Sequence, residues 1–446
     1  MKSFFLTTIF LLSSAAFAAP EVNITSVVQD SDMSVKIAFT LTEAPAIVTF
    51  DIKTKAEGDE WVSFGRKNFL RLSGDTDRIV ETKNGNIIWL CDHIGDAKKF
   101  AAGELKITLK AWALANPPDY MALDLTEGAA AGYARLRFYE NAEAVPGGVL
   151  NPEYRLSTLL MRRCHAANVT WPMGSSEVRD ERNANEVEHL VTLDEDYYLA
   201  VFPTTVAQSG LMGYLNGYYP IDRTMRIRDS SYHTAGHSPI RGESYWPDVP
   251  AESSMLWKLR QLVGGKIDFE LPTEAQWEYA AHAGNYGGYW GNGKPYQVSA
   301  GQKNVDENLP GRYRFNQATD WMPSYVSTYY EQAQTIGVTN ATPIAGSYAP
   351  NDWGFYDMNG GVWEWCLDWY QDDITGLGGK VNINPEDGTK RRDGTTPSDL
   401  HRVIRGGSWN STANACRSEF RDSRKQVYAG DFSESGFRVA APALIK

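Results

Sequence analysis

The sequence predicts an α+β protein of two domains, a small all-β sandwich followed by a larger, irregular and loop-rich domain. Three observations predict it. Between Glu21 and Glu140 apolar and polar residues alternate with a period of two, the pattern of strands with one buried face. From Gly284 to Gly346 the chain is rich in Gly, Asn and Tyr, and a loop of that length in a compact domain is functional or pinned by a ligand such as a metal. The stretch Asn351 to Tyr370 packs four tryptophans, paired glycines, several acidic residues and Cys366 into twenty positions.

At 446 residues the chain exceeds the ~100–200 residues of one domain. A hydrophobic share of 42 % excludes a disordered chain, and a formal charge of −12 without basic clusters excludes a nucleic-acid partner. Residues 1–18 carry Lys2, an apolar run from Phe4 to Leu12, and small residues ending at Ala18. They read as a signal peptide cleaved after Ala18, which implies a secreted or periplasmic protein. The apolar run is too short to span a bilayer, and no later segment could. Export makes Cys91, Cys164, Cys366 and Cys416 disulfide candidates, and no CxxC spacing points to zinc or redox chemistry.

Within 19–140, Val35, Ile37, Phe39 and Leu41 alternate, as do Val48, Phe50 and Ile52, then Leu105, Ile107 and Leu109, then Leu136 and Phe138. Gly74-Asp75 and Asn84-Gly85-Asn86 are the expected turns. Short strands at this spacing fit a sandwich of immunoglobulin or fibronectin type. Residues 141–153, with Pro146-Gly147-Gly148, read as a linker, and the second domain spans 154–446. There the order is a turn at Trp171 to Ser175, strands at His189 to Leu193 and Tyr197 to Val201, and a helix capped by Thr205 running to Leu215 with Gly217 as its stop. A second helix begins near Pro250. A third is capped by Thr273 and sets Trp277, Ala280 and Ala281 on one face. His233 and His237 have the spacing of two ligands on a helix, but Gly236 and Pro239 break that helix.

Five segments of the second domain resemble the formylglycine-generating enzyme family, the sulfatase-modifying-factor domain. They are Trp171 to Ser175, His189 to Leu193, Leu271 to Ala281, Gly354 to Trp365, and Arg405-Gly-Gly-Ser-Trp409 with Gly436-Phe-Arg438. The resemblance implies an irregular C-type-lectin-like fold from about Tyr154 onward. It also implies calcium, held by the side chains of Asp357 and Glu364 with the carbonyls of Gly360 and Val362, and more weakly at Asn304 and Val305. A calcium ion takes six to eight oxygens, which a glycine-rich turn with carboxylates can supply. Turn capping is the other reading of Asp357 and Glu364.

The family's activity, as the resemblance implies it, oxidises a sulfatase cysteine to formylglycine with copper(I) and oxygen. Two thiolates hold the copper, at positions that are Ser411 and Cys416 here. Ser408 matches the site serine, Trp409 is an aromatic wall of the substrate pocket, and Arg405 lies beside it. For Arg405 and Arg438 the other reading is an ion pair tying the last strands. Cys366 and Cys416 lie on neighbouring motifs and are expected to form a disulfide that closes the site. Asn-x-Gly-Phe-Arg of the family stands here as Glu434-Ser-Gly-Phe-Arg438. Two functions follow. One is an oxidase acting on sulfatase polypeptides. The other is a calcium-stabilised, lectin-like binding module that takes a protein or glycan through the loops from Asn410 to Asp431.

Overall fold

The structure is a computed structural model that describes residues 19–30, 34–55, 61–63, 72–90, 105–126, 132–177, 182–213, 250, 252, 254–287, 290–294, 311, 313, 342–380, 401–409, 411–425 and 434–446. Its N-terminal strands are β1 (Val22–Gln29), β2 (Ser34–Leu41), β3 (Ala46–Lys55), β4 (Trp61–Ser63), β5 (Leu72–Gly74), β6 (Arg78–Val80), β7 (Asn84–Leu90) and β8 (Leu105–Trp112). They form two antiparallel sheets, β1-β2-β7-β5 and β4-β3-β6 with β8 on β3. The alternation read from the sequence is the pleat itself: Val35, Ile37, Phe39, Leu41, Val48, Phe50 and Ile52 are buried in one core with Ile87 and Trp89. One expected turn is corrected. Asn84-Gly85-Asn86 opens β7, and Gly85 is there because a Cβ would lie 2.1 Å from Cζ of Phe39.

Strand pairing runs across the boundary expected after residue 140. Strands β9 (Tyr120–Asp124) and β10 (Leu136–Tyr139) pair with each other, and β9 pairs with β11 (Thr158–Cys164). Strand β11 continues to β14 (Tyr197–Ala200), and β14 to β19 (Ala440–Pro442), giving the order β10-β9-β11-β14-β19. Alternation at Leu136 and Phe138 shows that one face is buried without showing against what. Both residues join Met121, Leu123, Leu159, Met161 and Phe437 in the second core, which Ile47 and Ile79 enter from the outer face of the sandwich. The segment 141–153 is ordered. Asn141 caps a short 3-10 turn, and the Tyr154 hydroxyl donates to the Pro146 carbonyl at 3.0 Å.

The remaining strands and helices frame the site. Helix α1 (Glu153–Leu156) leads into β11. Strand β12 (Val169–Met173) pairs with β13 (His189–Leu193), so Trp171 and Met173 are strand residues and the turn begins only at Gly174, with φ +93°. Helix α2 (Val206–Leu211) has the expected Thr205 cap, closed reciprocally by Gln208, but ends at Met212 and Gly213 before reaching Leu215. Helix α3 (Met255–Leu262) is capped by Ser254, later than expected, and α4 (Glu274–His282) by Thr273 as expected. Strands β15 (Trp363–Trp369), β16 (His401–Arg405), β17 (Arg421–Lys425) and β18 (Ser435–Gly436) form a sheet of order β17-β16-β15-β18. The described structure is thus mostly β with few helices. None of those helices is long and apolar enough to cross a membrane.

Candidate functional site

Helix α4 is the spine of the site. Thr273 and Gln276 close its first turn reciprocally, and Asp368 accepts from the Glu274 amide at 2.6 Å. A spacing of four then sets Glu274, Glu278 and His282 along one stripe, all of it buried. Buried carboxylates need partners, and arginines from the last strands and loops supply them. Arg421 grips Glu274 through two hydrogen bonds, at 2.6 and 2.9 Å. Arg405 donates to Glu278, which also accepts from the Gly174 amide at 2.7 Å. Burial alone would raise the Glu278 pKa, but Arg405, His282 and Gly174 outweigh it and hold the carboxyl at about 2. Arg417 grips Glu186 likewise, at 2.9 and 3.0 Å.

The adjoining face of α4 carries Trp277, Ala280 and Ala281 into a core with Phe355, Met358 and Cys366. The turn that follows Asn351 docks on it. The Asn351 amide donates to the Ala280 carbonyl at 2.7 Å, and its oxygen accepts from the amides of Trp353 and Phe355. Asp357 takes a left-handed φ of 56°, and its Oδ2 accepts from the Gly346 amide at 2.7 Å. Its Oδ1 is buried without a partner, and burial pushes the carboxyl up to about 7 against the pull of Gly346 and Arg438.

Glu364 is held by an arginine and an indole. Arg438 donates to its two oxygens at 2.6 and 2.7 Å, and the Trp277 indole adds a third bond at 2.7 Å. Among the described residues no three His, Cys, Asp or Glu side chains converge to hold an ion. Arg438 engages both oxygens of Glu364, which leaves Oδ1 of Asp357 as the buried carboxylate oxygen of this turn without a partner. Asn304, Val305, His233, His237, Cys91 and the signal segment lie outside the described residues.

Strand β16 delivers the second motif. Two glycines follow Arg405, at φ +89° and +71°, and a Cβ on Gly407 would sit 2.4 Å from Sγ of Cys416. Only glycine lets this backbone pass so close to the thiol. Arg405 itself is fully buried, with carbonyls of Ser418 and Glu419 as further acceptors, so it stands behind the motif and not at a surface. Trp409 is half-buried, and its amide donates to the Gly361 carbonyl at 2.9 Å. The Ser408 hydroxyl donates to Glu434 at 2.9 Å. Ser411 Oγ accepts from the Ser408 amide at 2.9 Å and lies 3.0 Å from Ser408 Oγ, to which its own proton can turn. Glu434 is the member that sequence reading missed; its signal was the departure from the expected Asn.

The expected Cys366–Cys416 disulfide is corrected: both cysteines are free, as is Cys164. The pleat of β15 turns Cys366 toward α4, whereas Cys416 closes a 3-10 turn against Trp290, Tyr313 and Ala413. The two sulfurs therefore serve different cores. Burial raises the pKa of both thiols and keeps them protonated.

Comparison with known proteins gives concordant findings. A family model described as "Sulfatase-modifying factor enzyme 1-like domain" matches residues 158–443. Formylglycine-generating enzyme of Thermomonospora curvata is 31 % identical over 183 residues, which are 39 % of this chain and 50 % of that one. Chaperone protein LppX of Paenibacillus barcinonensis is 28 % identical over 201 residues, 44 % of this chain and 55 % of that one. The chain thus spans about half the length of these curated relatives. Among solved structures, PvdO from Pseudomonas aeruginosa aligns over 64 % of this chain and 94 % of its own, at 22 % identity and a TM-score of 0.40.

Proposed function

Because this chain belongs to the sulfatase-modifying factor enzyme family, we propose that it is an exported binding module for a protein or glycan ligand and does not run the family's copper-dependent oxidation. The observation that carries this reading is the hydrogen-bonded chain Ser411, Ser408, Glu434. Copper(I) is held by soft thiolates. Ser411 offers a hydroxyl already engaged with Ser408, and Cys416 offers one buried thiol that burial keeps protonated. The residues do not fit copper, and no oxidation step runs through them.

A surface for recognition remains. Trp409, Ser411 and Glu434 are partly accessible, Thr412 is exposed, and Arg424 stands 3.8 Å from Glu434. An indole beside hydroxyls, a carboxylate and a guanidinium suits a polar ligand with an apolar face. Relatives named for such different work as formylglycine generation and chaperoning support a scaffold whose fold does not set the reaction.

Copper(I) titrated into the purified mature protein is expected to find no stoichiometric site, while Ser411→Cys raises copper affinity tenfold or more. A thiol titration in denaturant should find Cys164, Cys366 and Cys416 reduced. Stoichiometric copper in the unaltered protein, with oxidation of a cysteine in a sulfatase peptide, would return the oxidase. On glycan and peptide arrays, Trp409→Ala should lose the ligand class that the parent retains.

Calcium enters this reading at one point. We infer that the Arg438 guanidinium supplies at Glu364 the positive charge that the resemblance assigns to a metal. The melting midpoint is then expected to be the same in chelator and in calcium. A calcium-dependent rise that Asp357→Ala abolishes would assign the ion to the turn, since a ligand of the folded state alone must stabilise it.

A further inference from the structure

Where the sandwich meets the second domain, β5 and β6 face β10 and the loop around Gly147 across a cleft of about 360 Å³. That size lies in the range of small-molecule sites. Arg78 and Arg137 both line it, and among the described residues neither has a carboxylate within ion-pair distance. Buried or half-buried arginines normally hold an acid, because desolvating a guanidinium without a partner is costly. One nitrogen of Arg137 donates to the carbonyls of Ala134 and Leu136 at 2.7 and 2.8 Å, which fixes the fork in place. Nε of Arg78 and Oγ1 of Thr76 are buried without partners on the same lining.

We propose that this interdomain cleft binds a sugar acid, with its carboxylate on Arg78 and Arg137. A carboxylate matches the planar fork of a guanidinium and satisfies two such groups at once. The rest of the lining suits a hydroxylated ring. The ring of Tyr139 and the Pro146 side chain give an apolar wall, while Thr76, Asn151 and Glu153 offer donors and acceptors for hydroxyls. Burial and the charge of Arg78 lower the pKa of Arg137, more than Tyr139, Asp77, which also lines the cleft, and Asp124 raise it, and a bound anion relieves the repulsion between the two arginines. A second recess of about 280 Å³ shares Arg137, Tyr139 and Glu153, which leaves room for a further ring. This site is separate from Ser408, and it stands whether or not that site binds anything.

Calorimetric titration of the full mature protein with D-glucuronate tests the proposal, with D-glucose, methyl glucuronate ester and inorganic sulfate as parallel probes. Saturable one-to-one binding of glucuronate, absent for glucose and the ester, is expected. Arg78→Gln, which breaks no side-chain hydrogen bond among the described residues, should weaken it tenfold or more at an unchanged melting midpoint. Arg137→Gln should do the same, and Arg137→Lys should recover part of the loss. No binding of glucuronate, binding that neither substitution moves, or sulfate binding as tightly as the sugar acid would each overturn the proposal.

Discussion

Arg438→Met is expected to destabilise the protein by about 3–5 kcal/mol, the range for removing one partner of a buried ion pair. Arg438 is 0 % exposed and Glu364 1 %, so water cannot replace the guanidinium. The substitution strips two charge-assisted bonds from Glu364 and leaves the Trp277 indole as its remaining donor among those three contacts. It also removes the donors that satisfy the carbonyls of Ala200 at 3.0 Å and Tyr356 at 2.9 Å. Those two carbonyls belong to β14 and to the aromatic turn, so one side chain ties three pieces of backbone together. Adding Glu364→Gln to the variant should recover part of the loss, because a neutral amide tolerates burial better than a lone carboxylate. Urea midpoints at constant slope measure both. A loss below about 1 kcal/mol would place the pair with exposed salt bridges and sink the argument.

The second large effect is on pH dependence. The Asp357 carboxyl is raised by burial from 3.8 to about 7 in the folded protein. The folded state therefore holds this proton more tightly than the unfolded chain does. Its contribution to stability is fully present below pH 3.8 and is lost as the pH rises through about 7. The upper bound is roughly 4 kcal/mol, from about 1.4 kcal/mol for each tenfold gain in proton affinity on folding. Asp357→Asn keeps an oxygen for the Gly346 amide and carries no titrating group. The difference in unfolding free energy between parent and variant should consequently move by several kcal/mol in the variant's favour between pH 4 and pH 8. Parallel curves over that window would show that Asp357 is ionised in the folded state throughout.

Much of this frame is legible in the residues alone. Period-two runs such as Val35 to Leu41 announce themselves because a strand has only two faces, and Thr273 announces a helix because exposed amides need an acceptor. The glycines of the Gly406-Gly407 pair are legible as a turn, though not the thiol that presses on them. What the sequence could not reveal is pairing across distance. Nothing local to Glu364 distinguishes a carboxylate that holds a metal from one that holds Arg438, 74 positions away. Nothing local to Cys366 says that the β15 pleat sends its sulfur to a different core from Cys416. Period and capping are short-range properties, whereas the partner of a buried charge is set by topology.

The five-stranded sheet has a consequence for how this protein can be divided. The segment that carries the family likeness begins at residue 158. Its first strand, β11, takes backbone hydrogen bonds on one side from β9, whose side chains and those of β10 fill part of the same core. A fragment cut at the likeness would bare a strand edge and open cavities where Met121, Leu123, Leu136 and Phe138 had been. A fragment that begins upstream of Tyr120 would keep β9 and β10 on that edge and in that core.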